Sequence, residues 1–173
     1  MDMHQHPPPA VAGPGKYLVI VLGGESYAIP VLQVREIIRL CPVTPVASMP
    51  AHVRGVINLR GKIIPLVDLR IRFGLPAADT HDRTCIVVAQ LTGGEGGTRL
   101  LGVVVDGVEE VASFAAADIE PTPDFGGTID VRFITGMAKA GRLVRTMIDL
   151  DRIALAELHA EAIVATASPE QNP

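Results

Sequence analysis

Gly55-Val56-Ile57-Asn58-Leu59-Arg60-Gly61-Lys62-Ile63-Ile64-Pro65-Leu66-Val67 holds two apolar, β-branched runs, Gly55–Leu59 and Ile63–Val67, with turn residues between them. That pattern reads as strand, turn, strand. The stretch superficially resembles a phosphate-binding loop, and it fails that test twice. Five residues rather than four separate the glycines, and Ile63 stands where a Ser or Thr would bind magnesium. Val56, Ile57 and Leu59 suit a strand better than a cradle of free amides. The segment is β structure and not a nucleotide site.

Working outward, the same pattern recurs along the chain. Further runs are Tyr17–Leu22, Ser26–Ile29, Arg35–Val46, Thr84–Leu91, Arg99–Val105, Glu109–Phe114, Phe133–Met137 and Leu143–Ile148. Short β-branched runs punctuated by turns predict an all-β protein, built as two small barrels or a sandwich. Gly23-Gly24, Gly93–Gly97 and Ala138–Gly141 are natural hairpin connections, since glycine adopts positive φ without steric cost. Short helical interruptions fit between the strands. Pro30 suits the start of a helical turn over Val31–Val34, and Asp68 and Asp149 suit N-caps of helices beginning at Leu69 and Leu150. The last of these, Leu150 to about Thr166, is expected to be the one substantial helix.

The chain has 173 residues, 48% apolar and 20% charged, which is globular rather than disordered. A chain of this length buries roughly 70% of its extended surface and needs no disulfide or metal for a core. Aromatics make up 3%, Trp is absent and the net charge is −4, which disfavours base stacking and a basic nucleic-acid footprint. Cys41 and Cys85 form no CxxC, and the five histidines fall at no zinc-site spacing. No basic segment followed by an apolar run opens the chain, and no apolar stretch is long enough to span a bilayer. The expected compartment is the cytoplasm, with reduced thiols. Residues 1–15 read as a disordered Pro/Gly/His-rich leader, and the end from Ser168 as frayed.

Charge is uneven along the sequence. From Ile37 to Arg72 the charged residues are Arg39, Arg54, Arg60, Lys62, Arg70 and Arg72 against Asp68 alone, whereas from Leu100 to Val131 all are acidic. Solvated faces and complementary partner patches account for this equally well. Asp79, His81 and Asp82 cluster as loop residues do, and no Ser or Cys stands in a nucleophile elbow. No catalytic residue, cofactor or metal is expected, and the chain does not read as an enzyme.

The run Gly55-Val-Ile-Asn-Leu-Arg-Gly61, followed by Ile64-Pro65-Leu66-Val67-Asp68-Leu69-Arg70 and Phe73-Gly74, closely resembles the CheW family of chemotaxis coupling proteins. The resemblance continues through Gly24–Ile29, Val34–Ile37, Pro42–Thr44, Leu101–Val108 and Ile134–Met137, covering about residues 16–155. It implies two packed five-stranded SH3-like β-barrels, to which the residue patterns above add short helices and a C-terminal helix; residues 156–173, expected as helix end and tail, are not specified by the family pattern. It also implies a non-enzymatic adaptor that couples the cytoplasmic tip of chemoreceptors to the regulatory domain of a CheA-type histidine kinase. Other CheW-like chains in array rings belong to the same set of implied partners. Neither nucleic acid nor direct membrane insertion does. The same fold occurs within CheA and CheV, but no kinase segment or receiver follows here, so a free-standing adaptor fits better.

Carried over by position, Val34, Gly55 and Arg60 fall on coupling and receptor-contact positions, with Asn58 inside the same motif. Glu36 matches an acid of that region, and Val31 and Cys85 match apolar positions of the receptor groove. An ion pair between Arg60 and Glu36 is expected to order that groove. Plain core packing would equally explain Val31 and Val34, a tight turn Gly55, and a solvated strand residue Arg60. His52 and Arg145 depart from the family pattern, and strand alternation points Arg145 to solvent. The alternative function is a nucleic-acid-binding SH3-like barrel using the basic stretch Arg39–Arg72.

Overall fold

A computed structural model of the chain describes residues 12–76, 79–92, 97–124 and 132–154. Strands β1 (Gly15–Leu22) and β2 (Glu25–Pro30) are followed by β3 (Val34–Arg39), β4 (Val53–Leu59), β5 (Lys62–Asp68), β6 (Cys85–Leu91) and β7 (Arg99–Val105). Then come β8 (Gly107–Phe114), the two-residue β9 (Ile119–Glu120), β10 (Ile134–Ala140) and β11 (Leu143–Ile148). They form two sheets, ordered β8-β1-β2-β11-β10-β9 and β3-β6-β7-β5-β4. The expected all-β fold of two small SH3-like barrels is what forms.

The chain crosses from the first sheet to the second at a 3-10 turn, Val31–Gln33, and returns at Asp106. Both crossings follow from sequence. Pro30 carries a φ of −54°, suited to entering the turn. At the return, Asp106 occupies a bend between β7 and β8.

Three apolar clusters hold the fold. Ile57, Ile64, Leu66, Ile86, Val88 and Val104 fill the five-stranded barrel. Tyr17, Ala28, Phe114, Ala138 and Met147 fill the six-stranded one. The largest cluster lies between the sheets, where Leu18, Ile20 and Ile29 meet Val87, Ala89 and Val103. Alternation supplies this directly in β6 and β7, where one face goes to the barrel interior and the other to the inter-sheet core.

Several boundaries differ from expectation. Arg35–Val46 is not one strand: β3 stops at Arg39, and only Thr44 pairs again, as a bridge to Val56. Pro42 and Pro45 lack the amide that a ladder needs. The last hairpin turns at Gly141, φ 65°, while Ala138 pairs with Arg145 inside the ladder. Phe133 precedes β10 and is buried between the sheets. β9 is too short to produce a periodic signal. Asp68 caps a single helical turn, α1 (Leu69–Arg72), through the amide of Arg70.

A helix begins at Leu150 and is described as far as residue 154. The expected continuation to Thr166, the tail 156–173 and the glycines at 93–96 lie outside the described residues, as do residues 1–11. Ala12 already donates its amide to Thr135, and Gly15 opens β1. Residues 12–15, inside the stretch expected as a leader, therefore make ordered contacts, and Tyr17 also fixes Gly13 through its hydroxyl. No helix among the described residues is long and apolar enough to cross a membrane.

Candidate partner-binding site

The residues singled out from the sequence fall in three places. Val31 and Val34 lie at the first crossing turn, on the seam between the sheets, while Cys85 lies farther along the same seam, opposite Arg39 at the other end of β3. That turn packs against β1 of one sheet and β6 of the other. Val34 and Cys85 are half-buried against the inter-sheet core. On β3, Val34 pairs with Ala89, Ile37 with Val87 and Arg39 with Cys85, with a register shift between Val34 and Glu36; of these β3 residues Val34 packs on that core, whereas Ile37 and Arg39 are exposed. Leu32 is 89% exposed and Ile37 45% exposed, on either side of Val34 in sequence. Two large apolar side chains, Leu32 and Ile37, are thus exposed near half-buried Val31 and Val34. Burial pushes the Cys85 thiol pKa up, so this sulfur behaves as an apolar group. Leu32 was missed by sequence reasoning because a three-residue turn has no period from which to read its outward face.

Glu36, Arg60 and Asn58 form the second place. The five-stranded sheet ends in β3 on one side and β4 on the other. Glu36 lies on β3 and Arg60 in the β4–β5 turn, and Arg60 Nη2 donates to Glu36 Oε1. The expected pair forms, and together with the Thr44–Val56 bridge it joins the two edges. Arg60 and Gly61 carry φ values of 48° and 86° between paired Leu59 and Lys62, the positive-φ pattern of a type I′ hairpin. Asn and Gly are the residues at ease there, and Arg is not. Asn58 is occupied locally, its Oδ1 accepting from the Gly61 amide at 2.9 Å.

Gly55 makes the third place, and its close approach is internal. Its φ is 135°, and a Cβ would lie 2.1 Å from the Thr44 carbonyl oxygen. Thr44 and Val56 exchange two backbone hydrogen bonds of 2.9 Å over this glycine. Gly55 thus seats the 42–46 segment on β4.

Four of the six cations in the basic stretch, Arg54, Arg60, Arg70 and Arg72, are engaged within the chain. Arg70 is 2% exposed, bound to Asp68 at 2.9 Å and to Asp106 at 3.0 Å. The Asp68 hydrogen bond, with Coulombic help from both acids, outweighs burial and raises the guanidinium pKa. Asp106 Oδ2 in turn accepts from the Gly23 amide at 2.7 Å, tying the second crossing to the β1–β2 hairpin. Arg54 reaches Asp68 at 3.4 Å, and Arg72 lies over the Phe133 ring at 4.5 Å. Arg145 corrects its expected solvent orientation. Its side chain is 13% exposed and pairs with Glu109 at 3.4 Å, because β11 lies inside the sheet between β2 and β10. His81 belongs to a turn, accepting the Arg83 amide on Nδ1. Among the described residues no group of three His, Cys, Asp or Glu side chains is placed to hold a metal.

This arrangement offers an apolar strip for binding, with a charged latch at the barrel edge. The CheW-like domain model matches residues 16–157. The chemotaxis protein CheW of Klebsiella aerogenes is 34% identical over 142 residues, spanning 82% of each chain. That of Rhizobium meliloti is 36% identical over 133 residues, 76% of this chain and 82% of the relative. The crystal structure of the scaffolding protein TtCheW from Thermoanaerobacter tengcongensis superposes with a TM-score of 0.70 at 33% identity. It covers 78% of this chain and 88% of that one. Fold and this span of similarity agree, and the chain belongs to the CheW family of chemotaxis scaffold proteins.

Proposed function

We propose that the chain is a non-enzymatic adaptor that couples the cytoplasmic tip of chemoreceptors to the regulatory domain of a CheA-type histidine kinase, working in the cytoplasm at membrane-anchored receptor arrays. The observation that carries this reading is the seam. Leu32 and Ile37 stand exposed near half-buried Val31 and Val34, with Cys85 farther along the same seam, an apolar surface of the kind on which an amphipathic helix docks. Receptor tips would supply such a helix, and Glu36 with Arg60 would border it with charge. The kinase domain, itself a double barrel by family resemblance, would bind at a barrel end away from the seam. The same kind of contact would admit other CheW-like chains into rings.

Calorimetric titration with a receptor signalling hairpin and, separately, with a kinase regulatory domain tests the reading. Wild type is expected to bind both. Leu32→Asp is expected to lose the hairpin and keep the kinase domain. Absence of both interactions at about 100 μM, a concentration that fills micromolar complexes, would refute it.

A further inference from the structure

Gln33 is the last residue of the first crossing turn, and both ends of its carboxamide are engaged. Nε2 donates to Asp149 Oδ1 at 2.7 Å and to Asp151 Oδ2 at 3.3 Å. Oε1 accepts the Leu150 amide at 3.1 Å. That amide opens the C-terminal helix and has no partner within the helix itself. Asp149 Oδ1 also accepts from the Asp151 amide at 2.9 Å, as an N-cap does. Asp151 continues the chain of contacts to the end of β6, taking the Thr92 amide and hydroxyl at 3.0 Å each. One side chain therefore connects the crossing turn, the start of the C-terminal helix and, through Asp151, the strand that carries Cys85.

Apart from its packing against β1 and β6, little else holds the turn. It is three residues long, has no side-chain cap and contains no buried residue. Leu32 contributes almost nothing to internal packing. A carboxamide fits this place because it donates to two carboxylates and accepts from an amide at once. A carboxylate could accept but not donate, and an apolar side chain could do neither.

We infer that Gln33 is a positioning residue that tethers the crossing turn to the C-terminal helix, holding Val31 and Leu32 in the orientation that a partner helix meets. The inference rests on the adaptor reading for the identity of that partner, and on this chain's own contacts for the tether. Binding energy is then not spent on ordering the turn when the partner arrives.

The test uses the full chain with Gln33→Met and Gln33→Glu. Binding is measured to the receptor hairpin and to the kinase regulatory domain, with thermal stability and amide hydrogen exchange followed alongside. Gln33→Met is expected to weaken hairpin binding about tenfold, with kinase-domain affinity unchanged. Exchange at the Val34 to Ile37 amides is expected to accelerate. Gln33→Glu places a third carboxylate against Asp149 and Asp151, with Arg152 the nearby cation, 3.9 Å from Asp149. Its loss relative to wild type is expected at about pH 7.5 and to shrink near pH 5, where a protonated acid again donates.

Unchanged hairpin binding in both variants would overturn the inference. So would parallel loss of both partners with falling stability, which a merely structural role produces. If wild type binds no hairpin, the adaptor reading fails. The tether is then judged by hydrogen exchange alone, standing if exchange accelerates in Gln33→Met and falling if it does not.

Discussion

Arg60, held at a φ of 48° in the β4–β5 turn, reaches Glu36 on β3, so one ion pair spans the two edge strands of the five-stranded sheet. The arginine occupies a backbone conformation that disfavours it, and its side chain is 70% exposed. An exposed pair of this kind contributes at most about 1 kcal/mol. A left-handed residue without local compensation costs a similar amount, roughly 1–2 kcal/mol.

Arg60→Asn therefore separates stability from binding. Asparagine adopts positive φ readily, and with Gly61 it completes the preferred I′ sequence. The midpoint of thermal unfolding is expected to stay level or to rise by the equivalent of up to about 1 kcal/mol. Hairpin binding, followed by calorimetry, is expected to weaken. A variant that melts several degrees lower would show that the pair is chiefly structural.

Gly55 behaves in the opposite way. An alanine Cβ would sit 2.1 Å from the Thr44 carbonyl oxygen, and that atom belongs to backbone that cannot step aside. Gly55→Ala is expected to cost about 3 kcal/mol or more in denaturant unfolding. Gly24→Ala, also at positive φ but with open space around it, is the control and is expected to cost about 1–2 kcal/mol. Equal losses at the two positions would remove the close approach as the cause. Binding defects in Gly55 variants thus report folding first.

The Asp68–Arg70–Asp106 network predicts a large loss in a variant. Arg70→Met leaves the covered Asp68 and Asp106 carboxylates without the cation they share, a change expected to cost about 3–5 kcal/mol in urea unfolding near neutrality. Arg54, 3.4 Å from Asp68, stays as a half-exposed partner. A loss below about 1 kcal/mol would show that the fold does not depend on the buried network.

Tyr27 supplies an alkaline pH dependence. Burial, with Glu25 beside it, pushes its phenol pKa up from 10.0 to about 12. The fold therefore favours the neutral phenol, and stability falls as pH rises from the unfolded value toward the folded one. Its ring, stacked on Phe73 at 5.5 Å, stays half-buried, so solvent screening moderates the effect. Tyr27→Phe is expected to lose less stability than wild type between about pH 10 and 12. Identical slopes in thermal melts at those pH values would discount Tyr27.

Much of this molecule was legible in the chain. The runs Gly55–Leu59, Ile63–Val67 and Thr84–Leu91 appear as β4, β5 and β6 almost to the residue. Each alternates or runs apolar between turn residues, and that period is a local property. Asp68 and Pro30 likewise mark helical turns for reasons contained within a few neighbouring residues. The pairing of Glu36 with Arg60 came from family resemblance, since 24 residues separate them and no local rule joins them.

What the chain alone could not disclose is where side chains meet across the fold. Arg70 and Arg145 read as members of charged surfaces, and both are covered and paired, because partners 36 residues away in each case arrive only once the sheets assemble. Gly55 read as a point of approach for a partner, and the backbone that approaches it is its own, at Thr44. Gln33 gave no signal at all, its three contacts lying 116 to 118 residues along the chain. Local patterning dictates strands, turns and caps because those depend on near neighbours. Burial and partnership at the seam depend on how two barrels pack, which the long-range contacts alone decide.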